Sequence, residues 1–165
     1  MQAAFDGEGV ATQKRAVIDG GVLTTLLYDL TTARRAGCAS TGNGKKGKYS
    51  SPVAISPYNL SLAPGEYSRE AQTEVLGDGI LITEAKGFHA GADAVTGDFS
   101  IESAGFRVLD GKLAYPVKSF TVAGNFFELL KSIESLGDTV HWGIPAVTAF
   151  GSPDVLVRGM SVAGK

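Results

Sequence analysis

Runs of alternating apolar and polar residues, broken by glycine-bearing turns, dominate this 165-residue chain. The clearest run lies between Asp98 and Ala123. Phe99 and Ile101 share one parity, and Ala104, Phe106 and Val108 share the other. A strand has a period of two, so a change of parity needs an inserted residue, and a β-bulge is expected near Ser103–Gly105. The returning strand slips in the same way, from Leu113, Tyr115 and Val117 to Phe120 and Val122. Paired slips on adjoining strands predict a strongly bent sheet. The turn between them is Asp110-Gly111, and Asp19-Gly20-Gly21 marks an earlier hairpin between strands Gln13–Ile18 and Val22–Tyr28. Asp-Gly supplies the positive φ angles that tight hairpins require.

Helical periodicity is rarer. Asn125 is a good N-cap, with Glu128 at capping-box spacing. Phe126, Leu129, Leu130 and Ile133 then fall at i, i+3, i+4 and i+7, predicting an amphipathic helix over 125–136 that docks through this stripe. Short helices are expected after Asp29, with Leu30 and Ala33 inward and Gly37 as the stop, and from Ser68 through Leu76. Ser40–Ser51 reads as a loop, 52–63 as an edge strand or extended segment, and Gly79–Glu84 as an apolar strand. Gly87–Gly97 is expected to be an unusually shaped loop, and Val155–Val162 a closing strand. No linker divides the chain. The fold class expected is α+β and β-rich. It has a bent, mainly antiparallel sheet, barrel-like or half-barrel, one amphipathic helix over 125–136 and short helices, all in a single domain over 1–165.

Composition sharpens this picture. Glycine accounts for 22 residues, nearly twice the usual share of about 7%, which suits turn-rich β structure better than a helical bundle. Lys and Arg total 15 against 17 Asp and Glu, for a net charge of -2, so no basic footprint for nucleic acid is present. Neither a leader-like pattern at Met1–Asp6 nor an 18-residue apolar run is visible. Cys38 is the only cysteine and reads as a small semi-buried hydrophobe. A cytoplasmic location is expected, with no membrane partner.

Candidate chemistry is sparse. Gly42-Asn43-Gly44-Lys45-Lys46-Gly47 fits G-x-G-x-x-G, and Gly42–Lys48 fits G-x-x-x-x-G-K. Both patterns need a buried strand before and a helix after. Arg34–Cys38 is no buried strand, and Tyr49-Ser50-Ser51-Pro52 does not open a helix, so a mobile basic loop is expected instead. His89 and His141 are the only histidines, and no zinc motif is present. His141-Trp142 reads as a partly buried aromatic corner. His89, in Gly87-Phe88-His89-Ala90-Gly91, reads either as a structural histidine bonding loop backbone or as a contact in a groove. Asp98 reads as a loop or strand cap. No serine sits in a Gly-x-Ser-x-Gly elbow.

The string Gly87-Phe88-His89-Ala90-Gly91, with Thr96-Gly97-Asp98-Phe99-Ser100 and Ala104-Gly105-Phe106, resembles the C-terminal domain of the TldD/PmbA family, once called modulators of DNA gyrase. Thr32-Ala33-Arg34, Ser40-Thr41-Gly42-Asn43-Gly44, Val122-Ala123-Gly124-Asn125-Phe126, Gly151-Ser152-Pro153 and Val162-Ala163-Gly164 agree in order. The resemblance implies a C-terminal domain of a longer chain belonging to a cytoplasmic zinc peptidase complex of two related subunits. In that family a TldD-type subunit carries an upstream His-Glu-x-x-x-His helix and a late cysteine. Here Trp142-Gly143-Ile144-Pro145-Ala146-Val147 stands where that cysteine is expected, so the chain resembles the PmbA (TldE) type, which lacks the ligands. The implied role is non-catalytic: no cofactor in this chain, zinc in a TldD-type partner, and a contribution to a peptide groove and a subunit interface. Pairing is expected with a TldD-type subunit or with self. Gly87, His89, Gly91, Asp98 and Ser100 are the candidate groove residues. Two alternatives are a purely structural dimerisation domain, with the Asp98–Ala123 hairpin as interface, and a gyrase-modulating interaction protein.

Overall fold

A computed structural model describes residues 3–144 and 148–164. Met1 and Gln2 of the N-terminal stretch, and Pro145–Val147 of the segment where a late cysteine is expected, lie outside the described residues. In chain order the elements are β1 (Ile18–Asp19), β2 (Val22–Leu23), α1 (Leu30–Ala36), β3 (Gly44–Lys45), β4 (Ala54–Ile55), β5 (Asn59–Ser61), α2 (Arg69–Leu76), β6 (Gly79–Lys86), α3 (Phe88–Gly91), β7 (Asp98–Leu109), β8 (Lys112–Asn125), α4 (Phe126–Lys131), β9 (Ile133–Leu136), β10 (His141–Trp142), β11 (Ala149–Ser152), β12 (Val155–Val157) and β13 (Ser161–Ala163). They fall into two compact units, one of Met1–Ser61 and Trp142–Gly151, the other of Leu62–His141 and Ser152–Lys165. The chain is α+β and β-rich, as expected, and none of its sheets closes into a barrel among the described residues.

In the first unit β1 and β2 pair across Gly20-Gly21, whose φ angles of 55° and 80° are those of a type I′ turn. The ladder is only two residues a side, shorter than the expected strands. Helix α1 starts as expected: Asp29 accepts from the Thr32 amide, Thr32 reaches back, and Gly37 closes the helix at φ 68°. Ala33 is buried, but Leu30 is exposed, so only one of the two expected inward residues packs. The expected loop 40–51 contains β3, which pairs antiparallel with β4. Strands β5 and β11 run parallel.

The second unit is built on an antiparallel sheet in the order β13-β8-β7-β6. Ile101, Val108, Phe120, Val122 and Leu156 are buried there. The slips expected from parity are present, but the extra residues sit in the flanking strands. In β6, Ile82 faces Gly105 and Glu84 faces Ala104, leaving Thr83 over. In β8, Phe120 faces Ser103 and Val117 faces Gly105, so Lys118 and Ser119 together oppose Ala104. Strand β7 therefore keeps one face inward through Ile101, Ser103 and Gly105, and changes face only at a second irregularity between Arg107 and Val108. Phe106, expected inward, is exposed. The Asp110-Gly111 turn has φ angles of 48° and 72°, again type I′.

Two expected elements are corrected. The helix expected over 125–136 ends at Lys131 with Ser132 as its C-cap, whose amide and hydroxyl both donate to the carbonyls of Glu128 and Leu129. Ile133 then enters β9 and pairs with Val157 of β12. The stripe meant for docking is split, and Phe126 and Leu130 remain about half exposed. The expected strand Val155–Val162 divides at Gly159, φ 81°, into β12 and β13, which join different sheets.

Gly105 sits between both bulges. A Cβ built there would lie 1.9 Å from the Leu81 carbonyl oxygen. Gly105→Ala is expected to cost about 3 kcal/mol, the upper end for overpacking, read as a lower urea midpoint. Gly47→Ala, which meets nothing within 4 Å, is the control and should stay within about 0.5 kcal/mol.

Candidate functional site

Four of the five candidate groove residues meet where β6 turns into β7. Gly87, at φ 78°, takes the chain out of β6 and into α3, where its carbonyl accepts from the Ala90 and Gly91 amides. The helical turn within 87–97 replaces part of the loop expected there. Gly91 lies against β7: an added Cβ would stand 2.4 Å from the Ser100 carbonyl oxygen. Ala92 bridges to Phe99. Asp93 Oδ1 then accepts from the Val95 and Thr96 amides at 2.7 and 3.1 Å, shaping the turn that delivers Gly97 at φ 80°. A Cβ on Gly97 would strike the Phe127 ring at 2.7 Å. The space beside Gly91 and Gly97 is thus filled by this chain itself.

Asp98 accepts from Asn125 Nδ2 at 2.8 Å, and the same amide donates to the Thr96 carbonyl at 2.9 Å. Asn125 Oδ1 meanwhile accepts from the Phe127 and Glu128 amides. One side chain therefore fastens the 93–97 turn, the start of β7 and the start of α4. Sequence reasoning found Asn125 as a helix cap and missed its role as a clamp. Glu128 pairs with Lys131 at 2.8 Å. Ser100 is exposed and opposite Ala123. His89 projects from α3, exposed, with no hydrogen bond or ion pair among the described residues. The backbone-bonding alternative for His89 has no counterpart there.

Other candidates resolve differently. In the Gly42–Lys48 loop the Gly44 amide, which a phosphate would need, donates to the buried Asp6 carboxylate at 2.8 Å. Lys45 Nζ donates to the Pro57 carbonyl at 3.0 Å and lies 4.4 Å from the Tyr58 ring centre. Burial lowers the Lys45 pKa. Carboxylate, strand pairing and lysine direction all disfavour a phosphate cradle. Cys38 is exposed, against the semi-buried expectation. The expected aromatic corner is also exposed. There His141 Nε2 lies 3.3 Å from Arg69 Nη2 and 3.7 Å from Asp154, while Arg69 grips both oxygens of Asp154 at 2.6 and 3.2 Å. Nothing local in sequence announces this cluster, since its members come from three distant segments. Hydrogen bonding to Asp154 raises the Arg69 pKa, with the carboxylate's charge acting in the same sense.

Among the described residues no three His, Cys, Asp or Glu side chains gather to hold a metal ion. No helix among them is long and apolar enough to cross a membrane.

The order of elements and the glycine-packed corner define a class of domain, and comparison with known proteins agrees. The family model described as the PmbA/TldA metallopeptidase C-terminal domain matches residues 1–164. The chain belongs to the TldD/PmbA family. It is 35% identical over 137 residues to the metalloprotease PmbA of Escherichia coli O157:H7, covering 83% of this chain and 28% of that protein. A candidate modulator of a DNA gyrase from Thermotoga maritima superposes with a TM-score of 0.84 at 40% identity, over 98% of this chain and 35% of the other. TldE from Thermococcus kodakarensis gives a TM-score of 0.84 at 26% identity, over 98% and 36%. The chain spans about a third of the length of these relatives.

The Asp93 carboxyl titrates below its ordinary 3.8, held there by the Thr96 amide first and the Val95 amide second. A lowered folded value means its contribution is complete above the unfolded pKa and is lost as pH falls through the folded one. Carboxyl NMR should give Asp93 a midpoint below 3.8. Asp93→Ala should lower the exchange protection factors of the Val95 and Thr96 amides at neutral pH to those the wild type shows only in acid.

Proposed function

We propose that this chain is the C-terminal domain of a PmbA/TldE-like, non-catalytic subunit of a cytoplasmic zinc peptidase complex, and that it forms one wall of the peptide groove. The zinc belongs to a TldD-type partner. The relatives' metalloprotease names support the complex, and the TldE neighbour supports this type of subunit.

The observation that carries the groove is the run from β6 to His89. Strand β6 is the last strand of its sheet and leads directly through Gly87 into α3. An extended peptide laid along that edge gains backbone hydrogen bonds with little dependence on sequence and arrives beside the exposed His89 and Phe88. Ser100 and Asp98 flank the same corner, and Gly87 and Gly91 set its shape.

A second reading has its own observation. Leu109, Leu113 and Tyr115 at the tip of the β7–β8 hairpin are 39%, 53% and 55% exposed, an apolar end suited to pairing subunits. His89→Ala in the full-length protein, assayed with its partner subunit, should lower peptide kcat/KM about tenfold and leave assembly on a sizing column unchanged. Leu113→Asp should do the reverse, weakening assembly first. Unchanged turnover in His89→Ala removes the groove, and lost assembly in Leu113→Asp with intact peptide binding favours the pairing role.

A further inference from the structure

The two bulges described above hollow out one face of the second unit's sheet. Thr83 is left over in β6, and Lys118 and Ser119 are both set against Ala104 from β8. Ser119 is held at φ 54°, a left-handed conformation that a residue with a side chain adopts at a cost. Beside the bulges lies a cavity of about 250 Å³ lined by Glu84, Lys86, Glu102, Ala104, Lys118 and Ser119, together with Ser103. Its charges are unevenly used. Lys86 stands opposite Glu102 in the ladder, yet its ammonium goes to Glu84 at 3.1 Å. The Glu102 carboxylate and the Lys118 ammonium are left without an ion-pair partner among the described residues.

We propose that this cavity binds a small zwitterion of the amino-acid or dipeptide class, its ammonium on Glu102 and its carboxylate on Lys118. One free acid and one free base on opposite strands suit a ligand that carries both charges, whereas a simple anion or cation would meet a repelling group. The cavity volume matches a molecule of that size rather than a longer peptide. The choice of a peptide-derived ligand rests on the proposed peptidase role; the charge argument does not.

Equilibrium dialysis of the full-length protein with L-alanyl-L-alanine, without any partner subunit, tests this. Saturable binding is expected. N-acetylation or C-terminal amidation of the probe should each weaken it roughly tenfold, the scale of one lost charge-assisted hydrogen bond. Glu102→Gln should weaken the free dipeptide while leaving the N-acetyl form unaffected, and Lys118→Met should do the same with respect to the amide. Both substitutions are at exposed positions, and unchanged thermal melting shows that they fold. Absence of saturable binding, equal binding of free and blocked probes, or indifference to both substitutions overturns the proposal. Because no turnover is measured, failure here is separate from failure of the His89 test.

Discussion

Everything in the larger unit turns on one close approach, the backbone of Gly105 against the carbonyl of Leu81. At this point β7 is flanked by a bulge on either side. Bulges raise local twist and bend a sheet, and bending brings neighbouring backbones nearer than a Cβ permits. Glycine at 105 removes that obstacle. The bend in turn carries the two ends of the β7–β8 hairpin in different directions. One end presents Asp98 and Asn125 to the α3 corner, and the other presents Leu113 and Tyr115 to solvent. The cavity lies beside the same bulges, and Lys118 and Ser119, the residues left over in β8, are part of its lining.

What was legible in the sequence was what the chain decides locally. The turns at Gly20-Gly21 and Asp110-Gly111 are set by two residues with positive φ. The caps Asp29 and Ser68 each bind an amide three residues away. The β8 slip between Val117 and Phe120 was also visible, because it displaces apolar residues. The irregularity expected near Ser103–Gly105 is present there, but the extra residues belong to the neighbouring strands, and the parity of β7 alone cannot reveal that. The helix expected over 125–136 is present but stops at Lys131 for a related reason. Ile133 fits the helical stripe, but as a β-branched residue it serves a strand equally well, and β12 lies more than twenty residues away in sequence to claim it.

The candidate site divides along the same line. The cluster of Gly87, Gly91, Asp98 and Ser100 could be read as one place because its residues are close in sequence. The clamp by Asn125 could not, nor could the Arg69–Asp154–His141 cluster, since each depends on pairings across 27 to 85 positions. The phosphate-like pattern at Gly42–Lys48 shows the reverse error that spacing alone invites. The buried Asp6 carboxylate, 38 residues away, takes the amide such a site would use.

The glycine clusters therefore mean something narrower than their positions first suggest. Gly42 faces the Ala11 carbonyl, Gly91 the Ser100 carbonyl, Gly97 the Phe127 ring and Gly105 the Leu81 carbonyl. At each, the missing Cβ makes room for the protein's own chain, so these glycines mark folded contacts rather than openings for a ligand. A peptide or small molecule must instead use groups the fold leaves over. Those are the outer edge of β6, the exposed ring of His89, and the Glu102 and Lys118 charges beside the bulges. The strand edge and both charges belong to the sheet that closes around Gly105, and His89 follows that sheet's edge strand in α3.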